Sequence, residues 1–238
     1  MGKIKPHLIE IGVFLLVVFL LCMGAHSRNR LWNDEIGIWI DCAGKSPNKA
    51  RPYVNLGFAY FNAGAYDKSL EMAKKAIEID PKSAYAYYTL SLSFEKMGNL
   101  NEAIAMAKKS LEIDPDLNMT RYSLGMLYFE NGQHAEAEEA FNKFIRVFPF
   151  FPEVHQYLAV VYAAQKEFDK AIPEFEWELR INPRNILPHL NLGQIYWYEF
   201  RNREKALYHL KVALALDPLF PNRKAIQKLV RTLEGFSS

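Results

Sequence analysis

The sequence predicts an all-α chain: a right-handed α-solenoid of five helix hairpins, with an N-terminal half-repeat, a C-terminal capping helix and one N-terminal transmembrane helix. Three observations predict it. A skeleton of Tyr53, Leu56, Gly57, Tyr60, Gly64, Ser69, Ala73, Ala76 and Pro81 returns 34 residues on as Tyr87, Leu90, Ser91, Phe94, Gly98, Ala103, Ala107, Ser110 and Pro115. Strict self-similarity at this interval is the mark of a stacked repeat architecture. Within each copy, apolar residues recur three and four apart, which places one buried stripe on each of two helices. Finally, Leu8 to Ala25 is apolar apart from Glu10 and the glycines.

The elements follow in order. Residues 1–7 form a short tail, and 8–25 form the span. Eighteen residues at 1.5 Å each reach about 27 Å, enough for a hydrocarbon core. A signal anchor is the preferred reading and a cleaved signal peptide the competing one, although Met23-Gly24-Ala25 is a poor small-x-small cleavage site. Lys3 and Lys5 precede the run and Arg28 and Arg30 follow it. The charge bias across it is slight and leans towards repeats on the extracytoplasmic side. Residues 26–49 form a juxtamembrane segment and a half-repeat helix. In that helix Trp39 and Cys42 occupy the positions of Ala73 and Ala76, so Trp39 is expected in the core.

The five hairpins occupy 50–83, 84–117, 118–151, 152–185 and 186–220. Gly57 lets its two helices approach closely, and Gly64, Gly98 and Gly132 fall where the chain turns, often at positive φ. Asn33, Asp67, Asn101 and Asp169 share one position just before the second helix and are expected to cap it; Ala135 breaks that column. Asp-Pro and Asn-Pro pairs end the second helices of four hairpins, because a residue before proline avoids the helical region. Pro47, Pro81, Pro115, Pro149 and Pro183 are each 34 apart, but the interval to Pro218 is 35, which places an insertion in the Phe200–Glu204 turn. Phe148 to Pro152 makes an aromatic corner, and Pro173 is expected to kink its helix. Residues 221–238 form the cap, with Ile226, Leu229, Val230 and Leu233 on one stripe.

This skeleton resembles the tetratricopeptide repeat (TPR) family from about Asn33 to the C-terminus. A second resemblance lies at the junction. Arg28-Asn29-Arg30-Leu31-Trp32-Asn33-Asp34-Glu35, Trp39 and Ser46 to Pro52 look like the last span and first repeats of multi-span transmembrane-and-TPR glycosyltransferase-like proteins. That resemblance implies repeats on the extracytoplasmic side. It does not imply glycosyl transfer, because this chain has one predicted span and no room for a multi-span catalytic region.

Chemistry is scarce. The formal net charge is +2, carried mostly by the N-terminal segment, which leaves the repeats near neutral. Nucleic acid needs a basic stripe and is excluded as a partner. Gly44-Lys45-Ser46 lacks the first glycine and the preceding strand of a phosphate loop. His155 and His189 share one repeat position, so they are expected to lie near each other as packing residues rather than metal ligands. Cys22 and Cys42 make no disulfide framework. No catalytic set, cofactor, metal or small-molecule substrate is expected.

The TPR resemblance implies a ligand face on the first helix of each hairpin. Here the candidate partner-binding residues are Phe58, Phe61, Tyr85, Tyr88, Leu92, Met119, Tyr122, Met126, Phe129 and Trp197. A carboxylate clamp would want Lys and Asn where Val54 and Phe58 stand. The asparagine ladder of backbone-binding arrays is reduced to Asn55 and Asn191, with Thr89, Ser123 and Tyr157 between. What remains suits an apolar peptide or an amphipathic helix. The expected function is a non-enzymatic, membrane-anchored scaffold that binds a protein partner. The alternatives are an accessory subunit of a membrane glycosyltransferase system and a secreted chaperone-like protein.

Overall fold

The computed structural model describes residues 34–217, 219–220 and 222–235. The expected tail and span at 1–25, the expected cap at Asn33 and the junction residues Arg28 to Trp32 lie outside them. The described residues form twelve α-helices and no strand. The chain divides into two compact units between Asn99 and Leu100, in the turn of the second repeat.

The first unit holds α1 (Glu35–Lys45), α2 (Ala50–Asn62), α3 (Tyr66–Ile79) and α4 (Ala84–Lys96). Its core joins Ala43, Tyr53, Val54, Ala76 and Ala86, with Met72, Ile77 and Ile79 packed around them. Gly57 makes the close approach expected of it. A Cβ there would lie 3.3 Å from both the Ser69 carbonyl oxygen and the Thr89 methyl. Trp39 departs from expectation and is half-buried, as is Cys42. Ala73 and Ala76, at the equivalent places, are fully buried because α2 covers them, whereas within the described residues α1 has no first helix of its own.

The second unit holds α5 (Leu100–Ile113), α6 (Asn118–Glu130), α7 (His134–Ile145), α8 (Val154–Ala164), α9 (Phe168–Ile181), α10 (Ile186–Tyr198), α11 (Arg203–Leu216) and α12 (Arg223–Gly235). Its seams carry larger groups. Phe141, Phe144, Phe175, Leu158, Leu192 and Leu210 are fully buried, each worth about 1.5–3 kcal/mol of transfer free energy. Helix α12 buries Ile226, Val230 and Leu233 on the stripe the sequence marks, with Leu229 at its edge. The Arg223 guanidinium donates to the carbonyl oxygens of Leu214 at 2.6 Å and Asp217 at 2.9 Å, satisfying carbonyls at the end of α11.

Turn chemistry follows the proline pattern closely. Asp80 and Asp217 hold an extended backbone at the ends of α3 and α11, and Asn182 leaves the helical region at the end of α9 with φ −131° and ψ 83°. The carboxylates of Asp80, Asp114 and Asp217 accept from the N–H two residues on, closing an Asx turn over the proline. Gly64, Gly98 and Gly132 sit at φ +75°, +78° and +74°. The turn between α10 and α11 has four residues, Glu199 to Asn202, where the turns inside the other hairpins have three, so the extra residue falls there.

Two expectations are corrected. Asp67 and Asp169 are not N-caps but lie inside the first turns of α3 and α9, and Asn101 likewise lies inside α5; the cap positions of α3 and α9 are Ala65 and Glu167, without side-chain capping bonds. The helix simply begins one residue sooner than the acid. The two acids therefore act through the helix dipole, worth a few tenths of a kcal/mol to about 1. Pro173 is accommodated inside a continuous α9.

The seam gives a direct prediction. A methyl group on Gly125 would lie 2.8 Å from the fully buried Phe141 ring, whereas one on Gly44 meets nothing within 4 Å. Gly125→Ala should cost about 1–3 kcal/mol. Gly44→Ala should cost nothing and gain a few tenths of a kcal/mol of helix propensity. Paired thermal melts of the two variants check both.

Candidate functional site

The first helix of each hairpin carries the predicted partner-binding residues, and each unit presents its own set. In the first unit, Phe58 and Tyr85 are exposed, at 39% and 59%. Phe61, Tyr88 and Leu92 are half-buried. The Phe58 and Phe61 rings stack at 6.1 Å, and Phe61 leans on Tyr66 at 5.7 Å. In the second unit, Met119 is exposed at 46%, while Tyr122, Met126, Phe129 and Trp197 are half-buried. Leu187, which shares the repeat position of Tyr85 and Met119 on the first helix of the fifth repeat, is exposed at 51%.

Tyr122 is engaged in packing. Its ring meets Phe144 and Phe151 at 5.3 Å each and Phe141 and Tyr157 at 6.1 Å. Burial, reinforced by Tyr157 and the Glu153 carboxylate, raises its phenol far above the ordinary range, so it stays neutral. The residual ladder is also spent internally. Thr89 and Ser123 are buried, and Thr89 donates to the Tyr85 carbonyl at 2.9 Å. Val54 and Gln156, at the same repeat position as Tyr88 and Tyr122, are buried as well.

The titratable groups that the structure brings together are not the ones expected. His155 and His189 do not pair with each other. Each pairs with a residue on the second helix of its own hairpin: His155 Nδ1 lies 2.6 Å from Glu174 Oε2, and His189 Nδ1 lies 2.9 Å from His209 Nδ1. The spacings are 19 and 20 residues, the same pair of repeat positions once the inserted residue is allowed for. A scan for partners across the hairpin, rather than across repeats, would have found both. Burial pushes His209 down to about 4, and the His189 and Lys205 charges act in the same direction. Burial lowers His189 too.

Glu178 was missed entirely as a polar centre. It is fully buried on α9, at the position where the third repeat has Phe144. Its carboxylate accepts from the Glu153 backbone N–H at 3.1 and 3.2 Å and from Asn185 Nδ2 at 3.1 Å. Asn185 Nδ2 also donates to Gln156 Oε1 at 2.8 Å, and its own oxygen caps α10 at the Leu187 N–H. This network ties the start of α8 to the start of α10.

Among the described residues no three His, Cys, Asp or Glu side chains converge on a common metal position. A cleft of about 320 Å³ opens between α5, α6 and α7; Lys108, Arg121 and Lys143 oppose Glu112, Glu136 and Glu139 around it, so it carries no net charge to select a ligand.

Two tetratricopeptide repeat family models match the chain, over residues 49–116 and 122–186, together more than half of its length. The chain belongs to the tetratricopeptide repeat family. It is 36% identical over 77 residues to a DnaJ homolog subfamily C member 7 homolog of Schizosaccharomyces pombe, covering 32% of this TPR chain but only 16% of that protein. Solved structures extend the likeness in fold. One is YrrB, a TPR protein with an unusual peptide-binding site, at TM-score 0.70 and 23% identity, covering 80% of this chain and 97% of that one. Another is pilF of Pseudomonas aeruginosa, at TM-score 0.66 and 21% identity, covering 81% and 89%. MamA superposes at TM-score 0.64 with 25% identity over 68% and 94% of the two chains. The TPR assignment confirms the repeats that the skeleton implied.

The buried polar groups can be tested singly. Glu178→Ala leaves the Glu153 N–H and the Asn185 amide without their acceptor and should destabilise the fourth and fifth repeats by about 1–3 kcal/mol, read by urea denaturation. His209 is neutral when folded, so the unfolded chain takes up the proton first. Stability should therefore fall as the pH drops from 6.5 towards about 4 and level off below. His209→Gln, which keeps a neutral partner for His189, should flatten that part of a melting-temperature-against-pH curve.

Proposed function

We propose that this TPR chain is a membrane-anchored, non-enzymatic scaffold that holds an apolar segment of a protein partner against the first helices of its repeats. The observation that carries this reading is a regularity in what is left uncovered. Exposed apolar side chains on a protein surface are ordinarily scattered singly. Here Tyr85, Met119 and Leu187 are exposed at one shared repeat position, which Arg51 and Glu153 fill in the remaining repeats. Phe58 adds a further exposed ring on the same helix type. Aromatic and methionine anchors of this kind contribute most of the energy in many interfaces. The likeness in fold to a TPR protein described by its peptide-binding site supports the same reading.

The partner-binding residues are Phe58, Phe61, Tyr85, Tyr88 and Leu92 in the first unit, and Met119, Tyr122, Met126, Phe129 and Trp197 in the second. Phe58 and Tyr85 make the first contact in the first unit and Met119 in the second, while the half-buried members of each unit form its floor. The apolar run at 8–25 supplies the anchor, with repeats on the extracytoplasmic side. It precedes the described residues, among which no helix is long and apolar enough to cross a membrane.

A photo-crosslinking residue at Tyr85 should trap one partner in membranes, and the double variant Phe58→Glu with Tyr85→Glu should weaken its capture at least about tenfold, a loss of some 1.4 kcal/mol. Tyr85 is well exposed and Phe58 partly so beside Phe61, so the far-UV circular dichroism melt should move little. Undiminished capture by the folded double variant would overturn the assignment of this face. Release of the full chain from membranes by alkaline carbonate, or a mature N-terminus beyond Ala25, would overturn the anchor.

A further inference from the structure

In the aromatic corner between the third and fourth hairpins, Phe148 and Phe151 pack on the Phe144 ring and Phe151 also on Tyr122, while the stretch between them is tied down through the Pro149 carbonyl. Pro149 and Pro152 offer no N–H, and the corner's own closing bond is Phe151 N–H to the Phe148 carbonyl at 3.2 Å. The Pro149 carbonyl oxygen is met by His155 Nε2 at 2.8 Å and, more weakly, by Trp177 Nε1 at 3.4 Å. The other nitrogen of His155 faces Glu174 Oε2 at 2.6 Å. Both oxygens are acceptors. A neutral imidazole has one N–H to give, and only the imidazolium has two. The ring is buried, so water cannot replace a missing donor. Over this anchor Phe150 stacks on Trp177 at 6.2 Å, and Arg180 covers Trp177 at 5.5 Å.

We propose that His155 is a protonation latch: charged, it holds Pro149 and Phe150 against Trp177, and on losing its proton it releases that part of the corner and uncovers an aromatic surface. The neutral ring keeps its remaining proton on Nδ1, because a carboxylate is the stronger acceptor. Nε2 then presents a lone pair to the Pro149 oxygen at 2.8 Å, and an attraction becomes a repulsion. Phe150 is already 69% exposed, so little else resists its departure from Trp177.

The charges acting on the ring are the carboxylates of Glu174 and Glu178, both from α9; the corner itself has no titratable side chain. Burial opposes the charged form. The bonds to Glu174 and the Pro149 carbonyl, with the two carboxylate charges, outweigh it and hold the imidazolium above the ordinary value of 6.5. The latch is therefore closed at a pH well below the raised pKa and opens as the pH rises through it. The fifth repeat has His209 where the fourth has Glu174, and its pair stays neutral, so the device belongs to the fourth repeat alone.

The test is an NMR titration of the full-length chain in detergent micelles between about pH 5 and 9, with nitrogen-labelled histidine and labelled Phe150 and Trp177. His155 should titrate above 6.5, keep the Nδ1–H tautomer when neutral, and carry the Phe150 and Trp177 signals with it at one midpoint. Glu174→Gln should lower that midpoint by about one unit for all three residues, as loss of a neighbouring charge does. His155→Leu, which offers the Pro149 carbonyl no donor, should fix the corner in its high-pH state throughout. Phe150 and Trp177 signals that ignore the His155 titration would overturn the latch, as would a midpoint unmoved by Glu174→Gln, a change mild enough to test even where His155→Leu fails to fold.

Discussion

The closeness of two helices at one small residue governs the rest of this structure. Gly57, Gly125 and Gly193 stand where each first helix crosses its partner, and Ser91 and Ala159 hold the same place in the other repeats. Opposite them stand Ala73, Phe141 and Leu210, all fully buried. Where the opposing residue is alanine, backbone lies against the glycine, at 3.3 Å from a would-be Cβ. Where it is Phe141 or Leu210, the side chain itself occupies the space a Cβ would take, at 2.8 and 2.6 Å. The seam is equally full by two different means, which is what close packing of an interior requires.

With the seams filled by small residues and their partners, the surface that remains is set by positions the period does not constrain. Hairpins four and five use such positions for buried and half-buried polar groups. His155 with Glu174, and His189 with His209, stand where the first repeat has Tyr53 and Met72 and the third has Arg121 and Ala140. Glu178 stands where the third repeat has a phenylalanine. A buried carboxylate is tolerated only with its lone pairs occupied, and here Glu153 and Asn185 occupy them. The gain is orientation: the same carboxylate that would destabilise an apolar core fixes the entry of α8, where Glu153 holds a positive φ of 70°.

Much of this was legible from residues and spacing. Gly64, Gly98 and Gly132 mark their turns because only a residue without a Cβ adopts that backbone cheaply. The Asp-Pro pairs mark helix ends because proline restricts the residue before it. The extra residue between Tyr198 and Arg203 showed as a changed interval. What periodicity could not show is contact between helices of one hairpin: His155 and Glu174 are 19 apart, a distance with no meaning on either helix alone. The acids at Asp67 and Asp169 looked like caps because cap and first turn differ by about two residues, inside the error of any boundary read from pattern. Trp39 misled because a repeat position implies burial only where a first helix covers it, and among the described residues α1 has none of its own.

The same reasoning separates scaffold from function in such a chain. A residue that recurs in every copy answers to the stack, as Leu56, Leu90, Leu124, Leu158 and Leu192 do, all buried. A residue that varies at a fixed position, on a face the stack leaves open, answers to something else. Arg51, Tyr85, Met119, Glu153 and Leu187 are such a series: one place in the repeat, with a cation, an aromatic, a thioether, an acid and an aliphatic in turn. Within the first unit that series offers a charge and an aromatic ring, and within the second an apolar group, a charge and another apolar group. If a partner segment binds there as proposed, such an order would favour one sequence over another, because a mismatched charge left opposite an exposed apolar residue loses its water without gaining a partner.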